Sequence, residues 1–68
     1  MTIEKKFEIH SASTKFYIYL IKERYSGKYR FYVPATKTYY TGEFETIELA
    51  LDYFAEFCDY REWTYEEI

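Results

Sequence analysis

Cysteine, histidine, glycine and proline are all scarce in this chain, and most of these shortages close a route to function. Cys58 is the only cysteine, so no disulfide forms within a monomer and the chain suits a reducing, cytoplasmic compartment. His10 is the only histidine, so no cluster of soft ligands of the zinc-finger kind can be assembled, and neither a metal nor a cofactor is expected. Two glycines are too few for a phosphate-cradling loop. The longest strongly apolar run, Phe16 to Ile21, has the length of a strand and not of a membrane span. Glu4, Lys5, Lys6 and Glu8 interrupt the apolar stretch that a signal peptide needs. Basic residues are missing from one half: in residues 41 to 68, Arg61 stands alone against nine Asp or Glu, a net of −8.

The other half has the opposite sign. Residues 1 to 40 carry eight Lys or Arg against three Glu, a net of +5, which leaves −3 for the whole chain. Two opposed fields in a domain this small can each select a partner, which points to binding. Catalysis has little to use: His10 reads as a strand residue, Cys58 falls on the apolar stripe of a helix, and no pair of carboxylates is marked as sharing a pocket. A non-catalytic protein is expected.

Sixty-eight residues make one small domain, which buries only about 60% of its unfolded surface. Ten Tyr, six Phe and one Trp supply the missing apolar area, since each enclosed ring buries roughly 150 to 250 Å². A quarter of the chain is aromatic, more than one small core can hide. Some rings must lie on the surface, as an interface, a homodimer contact or a Tyr-rich sheet.

Period-two alternation over Lys15 to Glu23 puts Phe16, Ile18 and Leu20 on one face and Tyr17, Tyr19 and Ile21 on the other. Ser26-Gly27 supplies a hairpin turn. Lys28 to Val33 is the next strand, with Tyr29, Phe31 and Val33 inside, and Pro34 ends it because proline has no ladder donor. Thr38 to Gly42 is a third strand whose facing is left open by the adjacent Tyr39 and Tyr40. Phe7 and Ile9 alternate with Lys6, Glu8 and His10, which adds a fourth short strand. Thr46 is an N-cap, and Ile47, Ala50, Leu51, Phe54 and Cys58 recur at helical spacing, which predicts a helix over Ile47 to Tyr60. Glu62 to Ile68 reads as a flexible acidic tail.

Two candidate surfaces follow. On the helix, Glu48, Asp52, Glu56 and Asp59 fall within an arc of about 80°, beside an arc holding Leu49, Tyr53 and Tyr60, and neither arc is the core stripe. An apolar strip bordered by charge is the anatomy of a protein interface, although charge runs most often only solvate a helix. On the sheet, the face away from the helix presents Lys15, Tyr17, Tyr19, Ile21, Lys28, Arg30 and Tyr32, with one of Tyr39 or Tyr40. Rings among cations suit nucleic acid, because bases stack while Lys and Arg neutralise phosphates. Cross-strand Tyr pairs also stabilise a sheet without any ligand.

From Arg24 to Phe54, about half the chain, the order of elements resembles the AP2/ERF type of DNA-binding domain and the amino-terminal domains of tyrosine-type phage integrases. The residues that carry the resemblance are Gly27-Lys28-Tyr29 at the hairpin, where the plant family usually has Gly-Lys-Trp, and Gly42, Phe44, Thr46, Glu48, Ala50 and Phe54 at the strand-to-helix junction. It implies a three-stranded sheet packed on one helix, with the sheet entering the DNA major groove.

The expected architecture is therefore α+β: an antiparallel sheet of three strands, or four, packed on one C-terminal helix. The leading functional expectation is a protein-binding module, of the kind of phage-encoded inhibitors and nucleic-acid mimics. It would dock Glu48, Leu49, Asp52, Tyr53, Glu56, Asp59 and Tyr60 on a basic protein such as a nucleic-acid-handling enzyme. The alternative is a DNA- or RNA-binding module that uses Lys15, Tyr17, Tyr19, Lys28, Arg30 and Tyr32. A homodimer through the Tyr face is the third outcome, and no membrane partner is expected.

Overall fold

The computed structural model describes residues 2–40 and 42–68. The chain runs β1 (Thr2–His10), β2 (Lys15–Lys22), β3 (Tyr29–Val33), β4 (Thr38–Tyr39), α1 (Ile47–Tyr60) and β5 (Thr64–Glu67). All strands join one antiparallel sheet in the order β4-β3-β2-β1-β5, with α1 packed on one face. The α+β class is as expected, with five strands in place of three or four.

Short loops set the registers. Between β1 and β2, the Ser11 hydroxyl accepts from Thr14 N–H and donates to Thr14 carbonyl oxygen, closing a compact turn. Between β2 and β3, Gly27 takes φ +69, which L side chains rarely adopt, and its N–H donates to Glu23 oxygen at 3.1 Å. Pro34 opens the turn into β4. This last strand is only Thr38–Tyr39, shorter than the expected Thr38 to Gly42, and Thr41 lies outside the described residues. Its register, Tyr39 opposite Tyr32, turns Tyr39 to the outer face, while Tyr40 packs 5.1 Å from Phe57 of the helix.

Alternation then does what the sequence predicts on the inner face. Phe7 and Ile9, Ile18 and Leu20, Phe31 and Val33 meet Ala50, Phe54 and Cys58 of α1 in one buried cluster. Phe54 is its centre, with ring centroids 4.7 Å from Phe7, 4.9 Å from Phe31 and 4.9 Å from Tyr65. Burial pushes the Cys58 thiol up to about 11, so it stays protonated in the core at neutral pH. Ile21 departs from expectation. It points to the outer face yet is fully buried, between its register partners Ile3 and Arg30. A register shift between Ile3 and Lys5 brings Ile3 to that position.

The segment expected as a flexible acidic tail is β5, and the end of the helix explains why. Trp63 N–H donates to Cys58 oxygen at 2.8 Å and Glu62 N–H to Asp59 oxygen at 3.0 Å, the paired bonds of a Schellman turn. Glu62 takes φ 61, the left-handed position usually given to glycine. The turn sends the chain back along β1, where Thr64 to Glu67 pair with His10 to Phe7. Tyr65 then caps Phe54, and Trp63 sits edge-on to Phe16 at 5.2 Å. Alternation of Trp63 and Tyr65 with Thr64 and Glu66 is the signal that reads as a strand once the turn is known.

Phe54→Ala should cost about 3 to 5 kcal/mol, against a total of roughly 3 to 10 kcal/mol for a domain of this size. The variant is expected to melt far below wild type by far-UV circular dichroism, and a melt close to wild type would show that Phe54 is not the centre of the core. Glu62→Gly should gain about 1 kcal/mol by removing an L side chain from left-handed backbone. This corresponds to a Tm roughly 4 to 8 °C higher. An unchanged or lower Tm would mean that Glu62 makes a contact worth as much as its strain.

Candidate functional site

The helix face is built by its cap and its stripe. Thr46 is extended at φ −132 and ψ 159, and its hydroxyl accepts from Leu49 N–H at 3.2 Å, satisfying one of the donors that a helix start leaves open. Burial of Ala50, Phe54 and Cys58 fixes the rotation of α1. A period of 3.6 then sends Glu48, Asp52, Glu56 and Asp59 to solvent, and all four are exposed.

Beside them Leu49 is 53% exposed and Tyr60 88% exposed. Tyr53 belongs elsewhere. Its ring is half-buried at the flank of the core, 5.0 Å from Phe44 and 5.8 Å from Phe57, so six of the seven predicted residues share the free face and Tyr53 supports it from behind. The cause is the loop before α1. Phe44 forms a bridge with Tyr29 and so extends the apolar wall past the edge of β3. Phe57 also packs against Tyr40 and Trp63 on that flank.

None of the ion pairs among the described residues involves Glu48, Asp52, Glu56 or Asp59. Arg61, the nearest basic residue in the sequence, lies over the Phe57 ring at 4.8 Å and the Trp63 ring at 5.4 Å instead. The four acids therefore repel one another at spacings of three and four, each such pair costing roughly 0.2 to 0.5 kcal/mol. Asp59 also sits in the last turn, where the helix dipole favours a cation and no basic residue stands.

The outer face of the sheet is different. Tyr17, Tyr19, Tyr32 and Tyr39 do lie on it, with Tyr32 and Tyr39 rings 4.9 Å apart and Arg30 4.3 Å over Tyr39. The three cations predicted for it are matched by carboxylates: Lys15 with Glu8 at 4.0 Å, Arg30 with Glu23 at 3.5 Å, and Lys28 with Glu45 at 3.4 Å. Lys28 stands just before β3, beside the Phe44 bridge, rather than within the platform. The positive charges left without a carboxylate are Lys6, Lys22, Arg24, Lys37 and Arg61 among the described residues. Lys6, Lys22 and Arg24 lie over the rings of Tyr19, Tyr29 and Tyr25. Tyr25, 96% exposed at the tip of the β2–β3 hairpin, is a ring that strand patterning could not place, because a turn has no period.

No helix among the described residues is long and apolar enough to cross a membrane. Compared with protein-family models, with curated proteins and with solved structures, the chain matches none.

Proposed function

We propose that the protein is a non-catalytic binding module that docks the acidic face of α1 on a basic surface of another protein. What supports this reading is how charge is shared out. The predicted cations of the sheet, Lys15, Lys28 and Arg30, each have a carboxylate nearby, whereas Glu48, Asp52, Glu56 and Asp59 have no cation within ion-pair distance among the described residues. A fold tuned for stability alone would place a lysine among those four. Uncompensated acids on a rigid helix steer a basic partner, and Leu49 and Tyr60 beside them offer apolar area to bury on contact. A carboxylate array also imitates the charge of a phosphate backbone. The partner class it fits best is a nucleic-acid-handling enzyme, engaged as an inhibitor or nucleic-acid mimic of the phage type engages one.

The double variant Asp52→Lys/Glu56→Lys tests this in two readouts. The change turns the 48–52 and 56–59 repulsions into attractions and leaves 52–56 a like-charge pair, so the variant should be more stable than wild type by about 1 kcal/mol in a urea melt. It should also bind the partner that wild-type bait captures, identified by mass spectrometry, more than about tenfold more weakly. Unchanged affinity in the well-folded variant would reject the reading.

Nucleic acid on the sheet is the second reading, supported by the exposed rings of Tyr17 and Tyr39. A salt titration against labelled single- and double-stranded DNA and RNA separates it from the first. With Lys15, Lys28 and Arg30 each beside a carboxylate, the sheet is expected to give no salt-sensitive binding. Binding at low salt that disappears in Lys28→Ala/Arg30→Ala would reverse the order of the two.

A further inference from the structure

At the far edge of the sheet from the β2–β3 hairpin, Glu8 and His10 of β1 meet Glu66 of β5. Glu8 and Glu66 are direct register partners, a placement that sets like charges opposite each other and weakens a strand pair. Their carboxylate oxygens converge on one atom. His10 Nε2 lies 3.0 Å from Glu8 Oε1 and 3.9 Å from Glu66 Oε1, and the three ligand atoms lie within 4.8 Å of one another. That nitrogen is shielded from solvent and has no hydrogen-bond partner. Glu8 Oε1 is close enough to be one but lies off the direction a hydrogen bond needs.

These distances bracket the separation of about 3.4 Å between two ligand atoms of a tetrahedral ion with bonds of 2.0 to 2.2 Å. The off-axis position of Oε1 also fits, because a ring nitrogen aims at the ion and not at its fellow ligand. The other oxygen of Glu8 is occupied. Tyr17 hydroxyl donates to Oε2 at 3.4 Å and Lys15 Nζ lies 4.0 Å from it, which holds the carboxylate with Oε1 turned to His10, as outer partners orient a metal ligand. We propose that Glu8, His10 and Glu66 bind a divalent first-row transition ion, Zn²⁺ being the type. An imidazole in the set disfavours Ca²⁺ and Mg²⁺, which take oxygen ligands. The ion joins β5 to β1 and neutralises the Glu8–Glu66 repulsion. Three protein ligands leave a coordination position for water.

The test is calorimetric titration of ZnCl₂ into the full-length, chelator-treated chain. One ion per chain is expected, with affinity falling about 10- to 100-fold or more in His10→Ala and in Glu66→Gln. Glu67→Gln, which alters the neighbouring Lys5 pair only, should bind as wild type does. Because Glu66 lies on β5, Zn²⁺ should also slow amide hydrogen exchange at Thr64 to Glu67 in wild type and not in His10→Ala. Co²⁺ should give visible bands without thiolate charge transfer, since Cys58 is in the core. The proposal is overturned by an absence of stoichiometric binding at millimolar Zn²⁺. It is equally overturned by undiminished binding in a His10→Ala chain whose circular dichroism matches wild type, which would assign the ion to the acids of α1.

Discussion

Phe54 is the contact on which the arrangement of everything else depends. One ring from β1, one from β3 and one from β5 meet it, so a single helical side chain ties together strands on both sides of the central β2. A domain of this size has too little interior for redundancy. Large rings packed among Ile9, Ile18, Leu20 and Val33 are how this chain reaches a closed core. Once Phe54 is seated the helix can present only one face outward, so the direction of the acidic stripe follows from packing.

Charge obeys a second constraint. The β-layer interleaves carboxylates with its lysines and arginines: Glu8, Glu23, Glu45 and Glu67 each stand within 4.0 Å of a cation. Exposed pairs of this kind are individually worth little, yet together they flatten the field over the sheet. The acids of α1 are left out of this matching, and the intrahelical repulsion they keep is relieved by no ion pair among the described residues. The dipole visible in the sequence thus becomes, in three dimensions, a β-layer of mixed charge and a helix face of acids.

What could be read from the sequence was what has a local period. The bounds of α1, the inner residues of β2 and β3 and the Thr46 cap all follow from spacing and residue type. The misses share a cause, in that each depends on a neighbour distant in sequence. Ile21 is buried because an irregularity in β1 places Ile3 beside it. Tyr53 turns from the free arc to the flank of the core because Phe44 reaches back to Tyr29. Tyr39 and Tyr40 could be told apart only by the register of β4 on β3. The strand at the C-terminal end was hidden by chemistry: a glutamate, not a glycine, occupies the left-handed position that reverses the chain. The meeting of Glu8 and His10 with Glu66 was hidden with it, since the three come together only when β5 docks.

The strand order also has a kinetic meaning. β1 lies between β2 and β5, so one side of the first strand is paired by its immediate successor and the other by the last strand of the chain. Closing a loop that long costs more entropy than any hairpin in the molecule. The hairpins of β1 to β4 can form from near neighbours, but the seam beside β1 stays unsealed until Thr64 to Glu67 return to it.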